Sequence, residues 1–175
     1  MSVVFTEMDS PVGQLRIAAC DGALVHLTLG EFGLAPPAWR RDDAALAPAC
    51  TQLRAYFAGK LRRFELALAP NGSEFQQSVW LELTRLPYGE TISYGDLARR
   101  VGRPRATRAV GMANNRNPIA IVVPCHRVVG ADGRLVGFGG GLPRKQWLLQ
   151  HEAVHHEFRL TSPSLVRAVA TGQGG

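Results

Sequence analysis

The chain of 175 residues is 46% hydrophobic and 19% charged, which is enough apolar material to bury one medium-sized core or two small ones. A disordered chain, a collagen and a disulfide scaffold are therefore excluded. No stretch approaches the ~20 consecutive apolar residues of a membrane-spanning helix, and the first residues lack the features of a signal peptide. We expect a soluble, cytoplasmic protein with no membrane partner.

Residues 1–70 are predicted to form a small α+β unit. Apolar runs between turn signals predict three strands, a loop rich in Gly and Pro, a helix with apolar residues at helical spacing, and a fourth strand with alternating apolar residues. These segments are Val3–Glu7, Leu15–Cys20, Ala23–Leu29, the loop Glu31–Asp43, the helix Ala44–Ala58 and the strand at Phe64, Leu66 and Leu68.

A turn signal at residues 70–72 predicts a domain boundary, so we divide the chain into residues 1–70, residues 73–155 and a tail of residues 156–175. The net charge of +6 divides unevenly across this boundary. Residues 1–70 balance seven Lys and Arg against seven Asp and Glu, whereas residues 71–155 carry eleven against six. The basic surplus therefore belongs to the second unit.

Three helices are predicted directly after the boundary. Ser73 and Ser93 each begin a capping-box pattern, with Gln or Asp three residues later, and the second of these helices should run to Val101. Pro104 suits the start of a third helix that continues to about Asn114.

The second and third of these helices, joined by a turn at Gly102, are typical of a helix-turn-helix. Five arginines and no acid lie within residues 99–108, as expected of a surface that contacts nucleic-acid phosphates. The third helix is otherwise made of small residues, which suit close approach to sugar-phosphate walls better than base reading. A helical hairpin with a solvated basic face is the competing interpretation.

The three cysteines, Cys20, Cys50 and Cys125, are an odd number without a CxxC pair, which indicates neither a disulfide framework nor a common zinc motif. His26 lies between the first two, but the spacing matches no standard zinc site. We expect no metal ion and no cofactor. Any cysteine chemistry should come from a reduced thiol.

Cys125 stands in the most suggestive position of the three. The apolar run Ile119–Val123 predicts a buried strand or extended core segment, and Pro124, Cys125 and His126 follow at once. A buried thiol beside a histidine is a plausible activated nucleophile. Because neighbouring side chains in an extended segment point to opposite sides, His126 needs a turn or a bridging water to reach the sulfur.

Three segments carry a resemblance to the O6-alkylguanine-DNA alkyltransferase family. They are Asn117-Pro118, Pro124-Cys125-His126-Arg127-Val128 and Trp147-Leu148-Leu149-Gln150-His151-Glu152, with a glycine-rich loop before the last. The resemblance covers about residues 73–152 and extends more loosely over the first 70. It implies an α+β fold, with a ribonuclease-H-like N-terminal α/β domain and a mostly helical, winged-helix-like C-terminal domain that contains the helix-turn-helix.

The resemblance also implies roles for five residues. Cys125 accepts the alkyl group irreversibly, so that each molecule acts once. His126 takes the thiol proton through a water, and Glu152 orients the imidazole. Asn117 braces the turn near the active segment, and Tyr94 donates a hydrogen bond to the leaving guanine.

A DNA-binding face and a base pocket follow from the same resemblance. Arg108 fills the space that a flipped nucleotide leaves, while the small residues of its helix lie in the minor groove. The DNA-binding set is Arg105, Ala106, Thr107, Arg108, Ala109 and Gly111, and the base-pocket set is Val128, Phe138, Gly139 and Gly140. Phe138 and Thr107 depart from the family, which commonly has tyrosine and alanine there. Small Ala120 near the pocket entrance leads us to expect tolerance of alkyl groups larger than methyl.

The predicted function is direct reversal of DNA alkylation by a single-turnover methyltransferase. Its partner is duplex DNA carrying O6-alkylguanine, with O4-alkylthymine as a second candidate lesion, and the protein acts as a monomer near the nucleoid; cooperative binding along DNA is left open. A lesion-binding protein without chemistry, a winged-helix regulator that senses through Cys125, and a cysteine hydrolase are the alternatives. Retention of Cys125 argues against the first, and no separate oxyanion-hole motif supports the last.

Overall fold

The computed structural model describes residues 2–160, with side chains up to residue 156. A four-stranded sheet comes first, in the spatial order β3-β2-β1-β4. Its strands are β1 (Val3–Met8), β2 (Leu15–Cys20), β3 (Ala23–Leu29) and β4 (Arg40–Arg41). β2 lies antiparallel to both β1 and β3, and β4 lies parallel to β1. The three predicted strands are confirmed to within one residue.

The helix α1 (Ala47–Phe57) follows the sheet, and its buried Leu53 and Tyr56 belong to the same apolar cluster as Ile17 of β2. The strand predicted at residues 64–68 is wrong. Residues 64, 66 and 68 are more buried than their neighbours, but this segment meets β3 at a single bridge, between Leu24 and Leu68. Two segments share the edge of β3, because Leu24 pairs with Leu68 and Leu27 pairs with Ile119. Residues 64–68 therefore cannot form a continuous ladder with β3.

Four α-helices follow in the remaining described chain. They are α2 (Glu74–Leu83), α3 (Tyr94–Arg100), α4 (Thr107–Asn115) and α5 (Leu142–Leu160). Both predicted capping boxes are confirmed, at Ser73 and at Ser93. The predicted start of α4 at Pro104 is wrong, because Ala106 N–H donates to the Arg103 carbonyl and closes a turn with proline at its second position.

α3 packs against α4 through fully buried Ala98, and a two-stranded parallel sheet of β5 (Ile92–Ser93) and β6 (Val128–Val129) lies beside α3. α5 continues to Leu160, past residue 156, where the tail was predicted to begin. Residues 161–175 of that tail lie outside the described residues. Within residues 2–160, no helix combines the length and apolar character needed to cross a membrane.

Candidate active site

The segment that leads to Cys125 is a chain of tight turns, so the predicted strand or extended segment at Ile119–Val123 is wrong. Val122 N–H donates to the Ala120 carbonyl at 2.8 Å, which closes a turn around Ile121 at φ 71°. A β-branched residue rarely adopts a positive φ, so the surrounding packing must hold this strained backbone in place. A second bond of this kind, from Cys125 N–H to the Val123 carbonyl at 2.8 Å, spans Pro124. The turns deliver Cys125 to the end of a buried, compact segment.

Asn117 holds these turns together with its side-chain amide. Its Nδ2 donates to the Val123 carbonyl at 2.8 Å, and its Oδ1 accepts from Ile119 N–H at 3.0 Å. Asn114, from α4, donates to the Cys125 carbonyl at 3.3 Å. The two amides therefore connect the active segment to the helix before it.

Cys125, His126 and Arg127 form one turn of 3-10 helix, and all three side chains are buried. This turn changes the direction of the chain between Cys125 and His126, whose side chains would point to opposite sides of an extended segment. Cys125 is 5% exposed. Burial raises the pKa of its thiol, although Asn117 and Lys145 act in the opposite direction. The thiol is therefore protonated in the resting protein and needs a base before it can attack.

His126 and Glu152 form a buried pair, with 2.7 Å between Nε2 and Oε1. Burial opposes ionisation of Glu152, but His126 and Arg127 beside it hold the pKa of this carboxyl well below its ordinary value. Burial lowers the pKa of His126, against the pull of Glu152. A neutral imidazole beside a carboxylate must donate through Nε2–H, which assigns the tautomer.

The other imidazole nitrogen of His126, Nδ1, then carries a lone pair. It is buried and has no hydrogen-bond partner among the side chains and backbone that the structure describes. Cys125, which carries the thiol, directly precedes His126 in the chain. The Nε2–carboxylate bond fixes one side of the imidazole and leaves Nδ1 with a lone pair, which is the arrangement of the histidine in hydrolase triads.

Two further residues that the sequence analysis did not select also bind Glu152. Arg127 donates from Nε to Oε2 and from Nη2 to Oε1, both at 2.9 Å. Tyr56 of α1 donates its hydroxyl proton to Oε1 at 2.8 Å. Arg127 could have been found, because an arginine within a buried run requires a buried counter-ion. Nothing in the sequence marks Tyr56.

Cys125 lies on the wall of a small cavity of about 140 Å³. The other lining residues are Leu27, Thr28, Leu29, Asn115, Asn117, Ala120, Phe138, Gly139 and Gly140. Three of them come from β3, which the sequence analysis did not connect with the site. At Gly140 a Cβ atom would lie 2.7 Å from Leu29 Cδ1, so a side chain there would displace Leu29.

The predicted pocket residues therefore divide into two groups. Phe138, Gly139 and Gly140 line the cavity beside Cys125. Val128 does not line it, because β6 pairs with β5 and its side chain is fully buried in the apolar cluster. The Val128 carbonyl accepts a hydrogen bond from Lys145 Nζ at 2.6 Å.

Lys145 and Tyr94 hold the loop that covers the cavity. Lys145 Nζ also donates to the carbonyls of Val136 and Gly137, at 3.0 and 3.1 Å, and Tyr94 Oη donates to the Val136 carbonyl at 2.6 Å. Burial lowers the pKa of Lys145 to about 8. Tyr94 therefore lies beside the glycine loop, bonded to its backbone. Lys145 could have been recognised from the sequence as a lysine on the core-facing side of an amphipathic helix.

The predicted DNA-binding residues lie at the start of α4. Arg105, Thr107, Arg108 and Ala109 are exposed, whereas Ala106 and Gly111 are partly buried. Arg105 and Arg108 form no ion pair with any described residue. α4 is anchored to α2, because Trp80 Nε1 of α2 donates to the Ala113 carbonyl of α4 at 2.8 Å.

No group of three or more His, Cys, Asp or Glu side chains in the described part of the chain is arranged to hold a metal ion. The site that the structure builds is a buried thiol with a histidine base, next to an exposed basic helix. These are the features of a cysteine nucleophile that works at a nucleic-acid surface.

Comparisons with known proteins agree with this class. Residues 3–70 match the ribonuclease-like domain, and residues 74–154 the DNA binding domain, of 6-O-methylguanine DNA methyltransferase. The methylated-DNA–protein-cysteine methyltransferase of Mycolicibacterium paratuberculosis is 50% identical over 91% of this chain and 98% of its own length. That of Mycobacterium leprae is 52% identical over 83% of this chain and 89% of its own.

A crystal structure of Mycobacterium tuberculosis OGT in complex with DNA superposes with a TM-score of 0.83 and 47% identity, over 87% of this chain and 94% of that one. The chain therefore belongs to the 6-O-methylguanine-DNA methyltransferase family. The mixed α/β fold, with its small sheet and five helices, is the fold of these structures.

Proposed function

We propose that the protein repairs DNA by moving an alkyl group from O6 of a guanine to Sγ of Cys125. The observation that carries the proposal is the buried Cys125, followed directly by a histidine whose Nε2 is bound to Glu152 and whose Nδ1 is free among the described residues. Membership of the family supplies the reaction class, since its relatives are named methylated-DNA–protein-cysteine methyltransferases. O4-alkylthymine is a second candidate substrate.

The transfer is a displacement at the alkyl carbon. His126 Nδ1 takes the thiol proton through a water, and the thiolate attacks the carbon as its bond to O6 breaks. Tyr94 exchanges its present carbonyl partner for the leaving base and donates a hydrogen bond to it. The base regains one proton, which balances the proton that Cys125 loses. The product is a thioether without an acyl or phosphoryl group for water to attack, so each molecule acts once.

The DNA side of the proposal places α4 in the minor groove of duplex DNA. Its exposed small residues, Thr107 and Ala109, allow close approach, and Arg108 occupies the space of a nucleotide flipped into the cavity. The structurally similar Mycobacterium tuberculosis OGT has been crystallised with DNA. We extend the proposal to a ribonuclease-H-like unit in residues 1–70, a winged-helix-like unit in residues 73–155, and a monomer in the cytoplasm.

The direct test is the intact mass of the protein after incubation with a duplex that contains O6-methylguanine, followed by peptide mapping. We expect one hydrogen to be replaced by one methyl group, on Cys125. Cys125→Ala should lose the transfer and keep DNA binding, while Cys20→Ser, at a partly exposed thiol, should react normally. An unchanged mass with tight lesion binding would identify a lesion-recognition protein without chemistry. An unchanged mass without lesion preference would favour a regulator.

A further inference from the structure

A second and larger cavity, of about 580 Å³, lies on the other side of the active segment from the Cys125 cavity. Ile121, Val122 and Pro124 line this larger cavity, whereas Ala120 and Cys125 line the smaller one. Residues 62–68 and residues 84–88 contribute most of the remaining wall. The turns of the active segment therefore separate the two cavities. The proposed alkyl transfer does not use the larger one.

The wall of the larger cavity carries four arginines and no acidic residue, and we call it the arginine cavity. The arginines are Arg62, Arg63, Arg85 and Arg127. Two of these charges are balanced from outside the wall, because Arg127 binds Glu152 and Arg85 binds Glu82 at 2.9 Å.

The other two arginines face no carboxylate among the described residues. Arg62 donates to the His155 carbonyl and lies over the ring of Tyr88, with 5.2 Å from its guanidinium carbon to the ring centroid. Arg63 is exposed and makes no side-chain hydrogen bond or ion pair with the described residues. The arginine cavity therefore keeps about two positive charges for a ligand.

Tyr88 lines the arginine cavity with a side chain that is 7% exposed. Its Oη is shut off from solvent and has no hydrogen-bond partner within the described residues. A ligand in the cavity does not reach this oxygen, so the arginines carry the proposal.

The remaining walls are apolar and belong to Phe64, Leu66, Leu68, Ile121 and Val122. Apolar walls with a few convergent polar groups, in a volume within the ~300–1,000 Å³ of ligand pockets, are typical of small-molecule sites. Guanidinium groups suit phosphate, which they bind through paired hydrogen bonds. The combination fits a nucleotide, with its phosphate on the arginines and its base or sugar on the apolar wall.

The rim of the arginine cavity also connects with the helix-turn-helix. Glu82 lies between Arg85 on the rim and Arg100 of α3, at 2.9 and 3.9 Å. Glu82 thus links the rim of the arginine cavity to α3. A DNA strand is therefore one possible source of the phosphate, and a free nucleotide is the other.

We propose that the arginine cavity binds the phosphate of a nucleotide, as a second site distinct from the Cys125 cavity. Only the DNA source of that phosphate rests on the proposed function. The test compares the full chain with Arg62→Ala/Arg63→Ala. The matched control is Arg54→Ala, which removes an exposed arginine from α1.

The first experiment is calorimetric titration with inorganic phosphate and with thymidine 5′-monophosphate at constant ionic strength. We expect both to bind, the nucleotide more tightly, and the double variant to weaken binding about tenfold or more, because each charge-assisted hydrogen bond is worth that much. The control variant should match the parent. Thermal unfolding of each variant establishes that it is folded.

The second experiment measures binding to a short undamaged duplex over a salt series. If DNA supplies the phosphate, the slope of log K against log salt falls by about 1 in the double variant and is unchanged in Arg54→Ala. If a free nucleotide is the ligand, the titrations show binding and the slope is unchanged.

The proposal is overturned if neither probe binds and the slope of the double variant equals that of the parent. The methylation of Cys125 by a lesion duplex at saturation is followed in the same variants. Failure of that reaction in the parent protein would contradict the proposed function alone, since the titrations with free phosphate do not depend on it.

Discussion

Tyr56 in α1 donates a hydrogen bond of 2.8 Å to Glu152 in α5, although 96 residues separate them in the chain. The oxygen that accepts it, Oε1, also accepts from His126 and Arg127. Burial and the charge of Glu152 raise the pKa of Tyr56 well above its ordinary value, so the phenol is a neutral donor. The first 70 residues therefore contribute a hydrogen bond to the carboxylate that binds His126.

We predict that Tyr56→Phe lowers the free energy of unfolding by about 1.5–3 kcal/mol, the usual worth of a hydrogen bond to a charged group. It should also slow alkyl transfer, because Glu152 loses a donor that stabilises its carboxylate. Urea unfolding and single-turnover rates provide the two measurements. Tyr88→Phe is the matched control, since the Tyr88 hydroxyl has no partner among the described residues. Equal losses in both variants would contradict the assigned role of Tyr56.

Glu152→Gln should slow alkyl transfer across neutral pH, because an amide cannot stabilise the imidazolium that forms when His126 takes the thiol proton. The change also affects acid stability. The folded pKa of Glu152 lies below its unfolded value of about 4.3, so its stabilising contribution is complete above that pH and is lost as the pH falls through the folded pKa.

Glu152→Gln should therefore remove the contribution of Glu152 to the pH dependence of stability in acid. The variant should also be less stable at neutral pH, where Arg127 is left without its counter-ion. Rates and unfolding free energies measured from acid to neutral pH test both statements. Glu90→Gln, at an exposed position, is the control. A normal transfer rate in Glu152→Gln would remove the carboxylate from the mechanism.

Arg108→Ala and Arg105→Ala should separate nucleotide flipping from phosphate contact. Both arginines are exposed at the start of α4, and neither pairs with a described residue. Arg108→Ala should lower the transfer rate on saturating lesion DNA more than it lowers affinity, because the flipped state loses its stacking replacement. Arg105→Ala should instead weaken binding and reduce the salt slope by about 1. The measurements are duplex affinity over a salt series and single-turnover rate; unimpaired transfer in Arg108→Ala refutes its role.

Lys145→Met should release the loop at residues 136–137. The change removes the donor for three carbonyls at 2.6–3.1 Å, of which the buried Val128 carbonyl is left unpaired at a cost of about 1–3 kcal/mol. We expect a loss of this size in unfolding free energy and faster amide exchange in this loop. Lys60→Met, at an exposed lysine, should change neither. Unchanged exchange in Lys145→Met would show that Tyr94 alone holds the loop.

Ala120→Phe should discriminate among alkyl groups. Ala120 lines the Cys125 cavity of about 140 Å³ opposite the flexible glycine loop, so a phenyl ring there takes space that a large alkyl group needs. The parent should accept a benzyl group as well as methyl, and the variant methyl alone. Intact mass after reaction with each lesion duplex reports the outcome, and Ala131→Phe, at an exposed turn, is the control. Failure of the parent with benzyl would contradict the expected tolerance.

Local patterns in the sequence were sufficient for much of this architecture. The strands β2 and β3 and both capping boxes were predicted correctly because alternation, turn residues and cap spacing are properties of neighbouring residues. The segment at Ile119–Val123 was not, because its apolar composition permits a strand, while Asn117 and the shared edge of β3 impose turns. That outcome depends on tertiary contacts.

The candidate site shows the same division. Cys125, His126 and Glu152 carried a motif, and the structure brings His126 and Glu152 together. Tyr56 and the β3 wall of the cavity are distant in sequence and carry none. Val128 was assigned to the base pocket by the resemblance, but its side chain is buried in the apolar cluster and does not line the cavity.

The order of residues along the chain has a consequence for synthesis on the ribosome. Cys125 emerges before Glu152, and 26 residues separate His126 from its carboxylate partner in α5. Until that helix has been made and has docked, the imidazole lacks its carboxylate partner. The His126–Glu152 pair is thus completed only after the sulfur that the protein can use once is already on the chain.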